Sequence, residues 1–311
     1  MKNRLIFLFS TLIILALVAG MNAPQAKAPD FSEQDNNPLL AEPKIETLPE
    51  CSFTVSTLEL KQGEFVRISV QNLQTRDQVR ILLDDSAINV QAAKTYAENT
   101  YLLPFSYSDS PGEKKLLLQI FRDAEMILEE EHLIRLLEED FPIQVLQLSP
   151  SMQRLIGEEE RDMPLYQGLA ARDSAIDFKL WRDDFLLPVE GRLSTPFGAI
   201  RYEETAEPSR HSGIDLATPA GTPIKATNRG IVVFATEDSF SGNAVVLEHG
   251  GGLYSLYYHL QSIDVFFGQL IEQGEVIGTV GSTGYSTGPH LHFAIFINGS
   301  FINPLYLLGS E

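Results

Sequence analysis

Five of the chain's six histidines lie between residues 211 and 292, and their spacing is suited to binding a metal ion. Four residues of this stretch are candidate ligands: His211, Asp215, His290 and His292. Imidazole and carboxylate groups are typical ligands of zinc, and a catalytic zinc ion usually takes three protein ligands and keeps one position open for water. The sequence therefore offers one candidate more than such a site needs. The surplus histidine and His259 would be free for proton transfer or charge stabilisation.

The pair His290 and His292 precedes an apolar run, Phe293-Ala294-Ile295-Phe296, that is typical of a β-strand. Side chains on a strand alternate between its two faces, so residues two apart point the same way. The pattern therefore predicts that both rings face one cleft.

Three short motifs follow one another in the chain: His211-x-x-x-Asp215, Tyr258-His259-Leu260 and His290-x-His292. They lie within a longer matching background that contains Ser194 to Gly198, Pro219 to Pro223, Gly242-Asn243 and Gln273 to Gly278. Together these segments resemble the lysostaphin/LytM-type zinc metallopeptidases, which cut peptide cross-links in bacterial peptidoglycan. The resemblance extends from about Pro188 to Leu308.

The resemblance implies a role for each motif residue. His211, Asp215 and His292 match the zinc ligands, with one Zn2+ per catalytic domain, and His259 and His290 match two catalytic histidines. It implies an exported zinc-dependent endopeptidase that hydrolyses peptidoglycan stem or cross-bridge peptides through a zinc-activated water. The alternative is a non-catalytic protein that binds the cell wall or activates another hydrolase with the same cleft.

The fold is predicted to be mainly β. In the C-terminal region, Gly230 to Ala235, Ala244 to Glu248 and Leu253 to Tyr258 have the character of strands. They are separated by short glycine-rich turns, which favour antiparallel hairpins. His249, beside one of these turns, is expected to have a structural or surface role.

Alternating apolar runs also occur between residues 51 and 149, for example at Phe65 to Val70, Val79 to Leu83 and Lys115 to Phe121. Several short strands at this spacing predict an immunoglobulin-like β-sandwich, which could carry a regulatory partner. The stretch Met126 to Glu139 is compatible with either a helix or a strand-turn-strand. The lone cysteine, Cys51, cannot form an internal disulfide and is predicted to be a buried, small apolar residue.

Length predicts about two domains in the 311 residues. The expected division is a signal peptide or N-terminal anchor (1–28), a linker (29–50), the sandwich (51–149), a connector (150–186) and the peptidase domain (187–311). Lys2 and Arg4 precede an apolar run from Leu5 to Ala19. A charged start followed by a run of this length is typical of an export signal.

The expected location is therefore the periplasm or cell envelope, with anchoring to the inner membrane as an alternative to cleavage. A net charge of -19 without a basic tract argues against nucleic acid as a partner. Trp181, in the connector, is predicted to pack against the next domain, with substrate stacking as the alternative. The long N-terminal part also raises the hypothesis of latency, in which the connector or the sandwich covers the cleft.

Overall fold

The computed structural model describes residues 50–90, 92–95, 98–145, 176–182, 184–202 and 208–308. The predicted export signal, nearly all of the predicted linker and most of the predicted connector lie outside these ranges. Across the described ranges, no helix is both long and apolar enough to span a membrane. Almost all regular structure in them is β-strand, so the prediction of a mainly β chain is confirmed.

The first nine strands form two sheets that face each other across a shared core. One sheet has the order β1-β3-β7-β6 and the other β2-β9-β8-β4-β5. We call this part the sandwich. Its strands are β1 (Ser52–Val55), β2 (Glu59–Lys61), β3 (Phe65–Gln71), β4 (Asp77–Leu83), β5 (Ser86–Ala87), β6 (Ala92–Lys94), β7 (Glu98–Pro104), β8 (Gly112–Arg122) and β9 (Glu125–Leu137).

Alternation along the strands builds the core of the sandwich. On β3 every second residue, Val66, Ile68 and Val70, is fully buried, and these pack against Leu118 and Ile134 of the opposite sheet. The three strands predicted in this region are confirmed. The immunoglobulin-like character of the sandwich stays a prediction.

Both structures considered for Met126 to Glu139 are wrong, because the segment is one continuous strand, β9, as far as Leu137, and this strand pairs with β8 along nearly its whole length. The partner strand satisfies the backbone of this Leu- and Glu-rich segment, and that tertiary pairing outweighs its helical propensity. Cys51 is also not fully buried. Its thiol lies 3.6 Å from a carboxylate oxygen of Asp77, which is a polar setting.

A short strand, β10 (Ile143–Val145), follows the sandwich. The strands after β10 form the C-terminal domain. Within the described residues its main sheet has the order β11-β14-β21-β18-β17-β16-β19. The strands are β11 (Arg192–Thr195), β12 (Ile200–Tyr202), β13 (Ser209–Arg210), β14 (Ile214–Ala217), β15 (Pro223–Lys225), β16 (Gly230–Asp238), β17 (Gly242–Gly250), β18 (Leu253–Ile263), β19 (Leu270–Ile271), β20 (Val276–Val280), β21 (His290–Ile297) and β22 (Ser300–Ile302).

The central strands of this sheet pair antiparallel, as the glycine-rich turns predicted. On β21, Leu291, Phe293 and Ile295 enter one apolar core, whereas Ala294 and Phe296 enter a second core on the other face. A sheet that is covered on both faces holds its strands rigidly, which is what precise placement of site residues requires.

The sandwich and the C-terminal domain belong to one compact unit, Leu48–Glu311. The Asn298 side-chain amide donates to the carbonyl oxygen of Leu102 on β7, and the backbone N–H of Asn303 donates to that of Gly63. Trp181 is 4% exposed and lies in the core of the C-terminal domain together with Phe185. Packing, rather than substrate stacking, is therefore the role that the structure gives to Trp181.

Candidate metal centre and active site

Strand pairing brings the candidate ligands together. Strands β14 and β21 are antiparallel neighbours in a register that sets Asp215 directly opposite His292. His211 lies on the short turn before β14. The ligand atoms of His211, Asp215 and His292 all lie within 4.8 Å of one another, and all three residues are buried.

The three donor atoms form a small triangle. His211 Nε2 lies 2.9 Å from His292 Nδ1, and each of these atoms lies 3.0 Å from Asp215 Oδ1. A proton on His292 Nδ1 could be shared between His211 Nε2 and Asp215 Oδ1. These last two atoms would then face each other as two hydrogen-bond acceptors, with no proton between them. A cation satisfies all three edges. Two nitrogens and one oxygen also form a donor set that suits zinc.

Electrostatics favour an ionised carboxylate here. Burial raises the pKa of Asp215, but His211 and His292 more than offset this and hold it well below the usual range. Burial lowers the pKa of His292 to about 4. The hydrogen bond to Asp215 opposes this effect, whereas the neighbouring His211 and Arg201 add to it. A neutral imidazole beside an ionised carboxylate is the protonation state in which both groups can bind a metal.

Backbone carbonyls orient several of the rings. His211 Nδ1 lies 2.9 Å from the carbonyl oxygen of Pro196, and since a carbonyl only accepts, Nδ1 carries the proton and Nε2 faces Asp215. His259 Nδ1 donates in the same way to the carbonyl of Thr283, at 2.8 Å, and His290 Nδ1 to that of Gly288, at 2.8 Å. In all three residues Nε2 is therefore the nitrogen left for chemistry.

His259 sits at a break in the sheet. On β18, Tyr257 pairs with Val245 and Leu260 pairs with Asn243, so β18 has one residue more than β17 at this point and forms a bulge. The backbone of His259 is left-handed, with φ of 65°. This conformation costs about 1 kcal/mol for a residue with a side chain, and hydrogen bonds to Ser241 and Thr283 hold it. Bulges commonly re-aim a side chain beside an active site.

His290 and His259 lie together next to the ligand cluster, with ring centroids 4.8 Å apart. His290 Nε2 is 3.7 Å from Asp215 Oδ1. Burial lowers the pKa of His259 to about 3, and the neighbouring His290 and His292 act in the same direction, so this ring is neutral at physiological pH. The structure thus brings together all five residues that the sequence singled out.

A pocket opens onto this cluster, and several of its residues were not identified from the sequence. Arg201 on β12 donates from Nη2 to Asp215 Oδ2 at 3.1 Å, and Gln144 on β10 contributes from beyond the C-terminal domain. The segment Gly281 to Pro289 supplies two side chains, those of Tyr285 and Thr287. The lining residues are Gln144, Thr195, Arg201, Asp215, His259, Tyr285, Thr287, His290 and His292.

His249 takes no part in this cluster. It is fully buried, with Nδ1 donating to the carbonyl of Arg229 at 2.7 Å and Nε2 at 2.8 Å from the hydroxyl of Ser255, which donates to it. Of the two roles expected for His249, the structure supports the structural one.

Comparisons with known proteins agree with this fold and site. Residues 209–304 match the sequence profile described as Peptidase family M23. A DD-carboxypeptidase/endopeptidase, Mpg, of Neisseria meningitidis is 44% identical over 114 residues, which cover 37% of this chain and 26% of the relative. The peptidoglycan DD-endopeptidase ShyC of Vibrio cholerae is 40% identical over 114 residues, which cover 36% and 26%. This chain thus spans about a quarter of the length of these curated relatives.

A solved structure of an M23 protein from Pseudomonas aeruginosa extends the likeness beyond the profile match. It is similar over 75% of this chain and 89% of its own, with a TM-score of 0.52 and 28% sequence identity. The His/Asp/His cluster of this chain thus lies in a fold that is similar to that of an M23 protein. Residues 209–304 of this chain form a peptidase family M23 domain.

Proposed function

We propose that this protein is an exported zinc endopeptidase that hydrolyses peptide cross-links of bacterial peptidoglycan. The observation that carries the proposal is the triangle of His211, Asp215 and His292 with two further histidines beside it. Relatives that are named peptidoglycan DD-endopeptidases support the choice of substrate.

His211 Nε2, His292 Nδ1 and Asp215 Oδ1 would hold the zinc ion. When bound, zinc polarises the scissile carbonyl and makes water more acidic. Two neutral imidazoles and one carboxylate would leave the loaded site with a net positive charge, which suits stabilisation of the negative charge that develops on an amide during hydrolysis.

His259 and His290 would move protons and stabilise charge. Both rings carry their proton on Nδ1, where a backbone carbonyl holds it, so Nε2 is the basic atom of each. A neutral base whose other nitrogen is fixed can accept a proton without turning its ring, and it can return that proton to the leaving amine. His290 Nε2 lies 3.7 Å from Asp215 Oδ1, next to the ligand cluster.

The substrate class follows from the pocket and the relatives together. Side chains from β10, β12 and the loop before β21 surround the histidines, so an extended peptide would pass between elements of different parts of the chain. We place the protein in the periplasm or cell envelope, on the basis of the N-terminal sequence.

The test is digestion of purified, cross-linked muropeptides, with zinc content measured on the same samples. The wild type is expected to hold about one zinc per chain and to release products whose masses identify the bond. His211→Ala should lose both properties. His132→Ala, which alters a histidine of the sandwich, is the matched control and should lose neither.

Two outcomes would count against the proposal. A wild-type protein that binds no zinc would contradict the metal site. A protein that holds zinc but cleaves no cross-linked peptide would instead favour a wall-binding or hydrolase-activating role.

A further inference from the structure

Arg201 contacts the ligand cluster through Asp215. Its Nη2 donates to Asp215 Oδ2 at 3.1 Å, while Asp215 Oδ1 faces His211 and His292. The two oxygens of one carboxylate are therefore divided between the guanidinium and the metal position. Arg201 is 19% exposed along its side chain and Asp215 8%, so the contact is largely shielded from water.

The position of Arg201 depends on a segment outside the family match. Strand β10 pairs in parallel with β12, and the register sets Gln144 beside Arg201. The Nε of Arg201 donates to Gln144 Oε1 at 3.4 Å. The guanidinium thus has a partner at each end, with Gln144 on one side and Asp215 on the other.

Strand β10 is itself held against the C-terminal domain. The ring of Phe141 packs edge-on against Phe197, with centroids 6.2 Å apart, and the guanidinium of Arg210 lies 5.2 Å from the centre of the Phe141 ring. The backbone N–H of Ile200 donates to the carbonyl of Pro142. These contacts fix the segment immediately before Gln144, and through it the side chain of Arg201.

We infer that Arg201, oriented by Gln144, is a positioning residue that presents a single oxygen of Asp215 to the zinc ion. The inference rests on the proposed zinc site and adds to it a support that comes from outside the matched domain. A free carboxylate can rotate and offer either oxygen or both. Groups that orient metal ligands typically contribute about 10- to 100-fold to metal affinity.

The test compares Arg201→Gln, Arg201→Lys and Gln144→Ala with the wild type and with Arg192→Gln, an exposed arginine on β11. Zinc dissociation constants are measured by competition with a chelator, and the absorption spectrum of the cobalt-substituted protein reports the coordination number of the metal. Thermal unfolding of the metal-free proteins checks that each variant is folded.

Arg201→Gln is expected to bind zinc about 10- to 100-fold more weakly and to change the cobalt spectrum, because Asp215 can then offer both oxygens. Arg201→Lys should recover part of the affinity, since it keeps one donor and the charge. Gln144→Ala should weaken binding by a smaller factor, and Arg192→Gln should match the wild type.

Wild-type zinc affinity and an unchanged cobalt spectrum in Arg201→Gln would overturn the inference. If KM for the substrate rises at the same time, Arg201 binds the substrate instead of positioning Asp215. Tighter zinc binding in that variant would also overturn it, because the guanidinium would then act as a charge opposing the metal. Wild-type affinity in Gln144→Ala would overturn the part assigned to Gln144. If the wild type binds no zinc, the proposed function fails instead.

Discussion

Lowering the pH from 7 to 4 is expected to destabilise the folded protein through His249. Burial lowers the pKa of this imidazole from 6.5 to about 4, against the smaller opposing effect of the hydrogen bond to the Arg229 carbonyl. Between these two values the unfolded chain binds a proton that the folded chain does not, so the free energy of unfolding decreases as the pH falls.

The size of the effect follows from the shift. One pKa unit corresponds to about 1.4 kcal/mol. The titration of His249 should therefore lower the free energy of unfolding by about 2 kcal/mol at pH 5 and by about 3 kcal/mol at pH 4, relative to pH 7. Below the folded pKa both states are protonated, and no further loss is expected from this residue.

His249→Gln removes the titration. At pH 7 the variant should be less stable by about 1 to 3 kcal/mol, because Arg229 and Ser255 lose well-placed partners. Its stability should then fall less steeply than that of the wild type, so the two curves of unfolding free energy against pH converge or cross between pH 6 and 4.

The assay is urea unfolding at a series of pH values between 7 and 4, with a chelator present so that metal release does not contribute. His259 and His292, with pKa values of about 3 and about 4, destabilise both proteins alike at low pH, and their effect cancels in the difference. Parallel curves for the wild type and His249→Gln would refute the reasoning.

Three further outcomes are expected. Trp181→Ala should cost about 3 to 5 kcal/mol of unfolding free energy in urea titrations without altering zinc content, and a cost below 1 kcal/mol would contradict the packing role. Gly242→Ala should reduce peptidase activity per bound zinc. Gly242 has φ of 65°, and a Cβ there would lie 2.3 Å from the Oγ1 of Thr283, the residue whose carbonyl accepts the hydrogen bond from His259. Wild-type turnover in this variant would contradict the prediction. Free zinc at 100 times its dissociation constant should stabilise the protein by about 2.7 kcal/mol in thermal unfolding, and equal stabilisation of Asp215→Asn would argue against that ligand.

Local patterns were enough to predict much of the C-terminal domain. The hairpin strands followed from apolar runs between glycine-rich turns, because both signals lie within a few residues. The common face of His290 and His292 followed from the period of two along a strand. The prediction failed at β9, where the sequence is rich in helix-favouring residues and only its pairing with β8 shows that it is a strand.

The parts of the site that could not be predicted depend on contacts between distant residues. Nothing near Gln144 in the sequence indicates that it pairs with Arg201, because the register of two strands 57 positions apart is fixed by packing. Similarly, the bulge that turns His259 arises from a mismatch between β17 and β18 rather than from a local signal. The histidines could be identified from the sequence because histidine is a typical metal ligand and few are present. An arginine or a glutamine has many ordinary roles, so its presence does not indicate a site.

The pairing of β10 with β12 determines which part of this protein could be transferred intact to another carrier. The family match begins at residue 209, yet Gln144, Thr195 and Arg201 all line the pocket. A chimera that grafts only residues 209–304 onto another carrier would keep His211, Asp215 and His292 together with His259 and His290, but it would lose one wall of the pocket. The smallest portable unit is therefore not the conventional domain. It is the C-terminal domain from β11 onward together with the segment from Phe141 to Val145, whether supplied in the same chain or as a separate peptide.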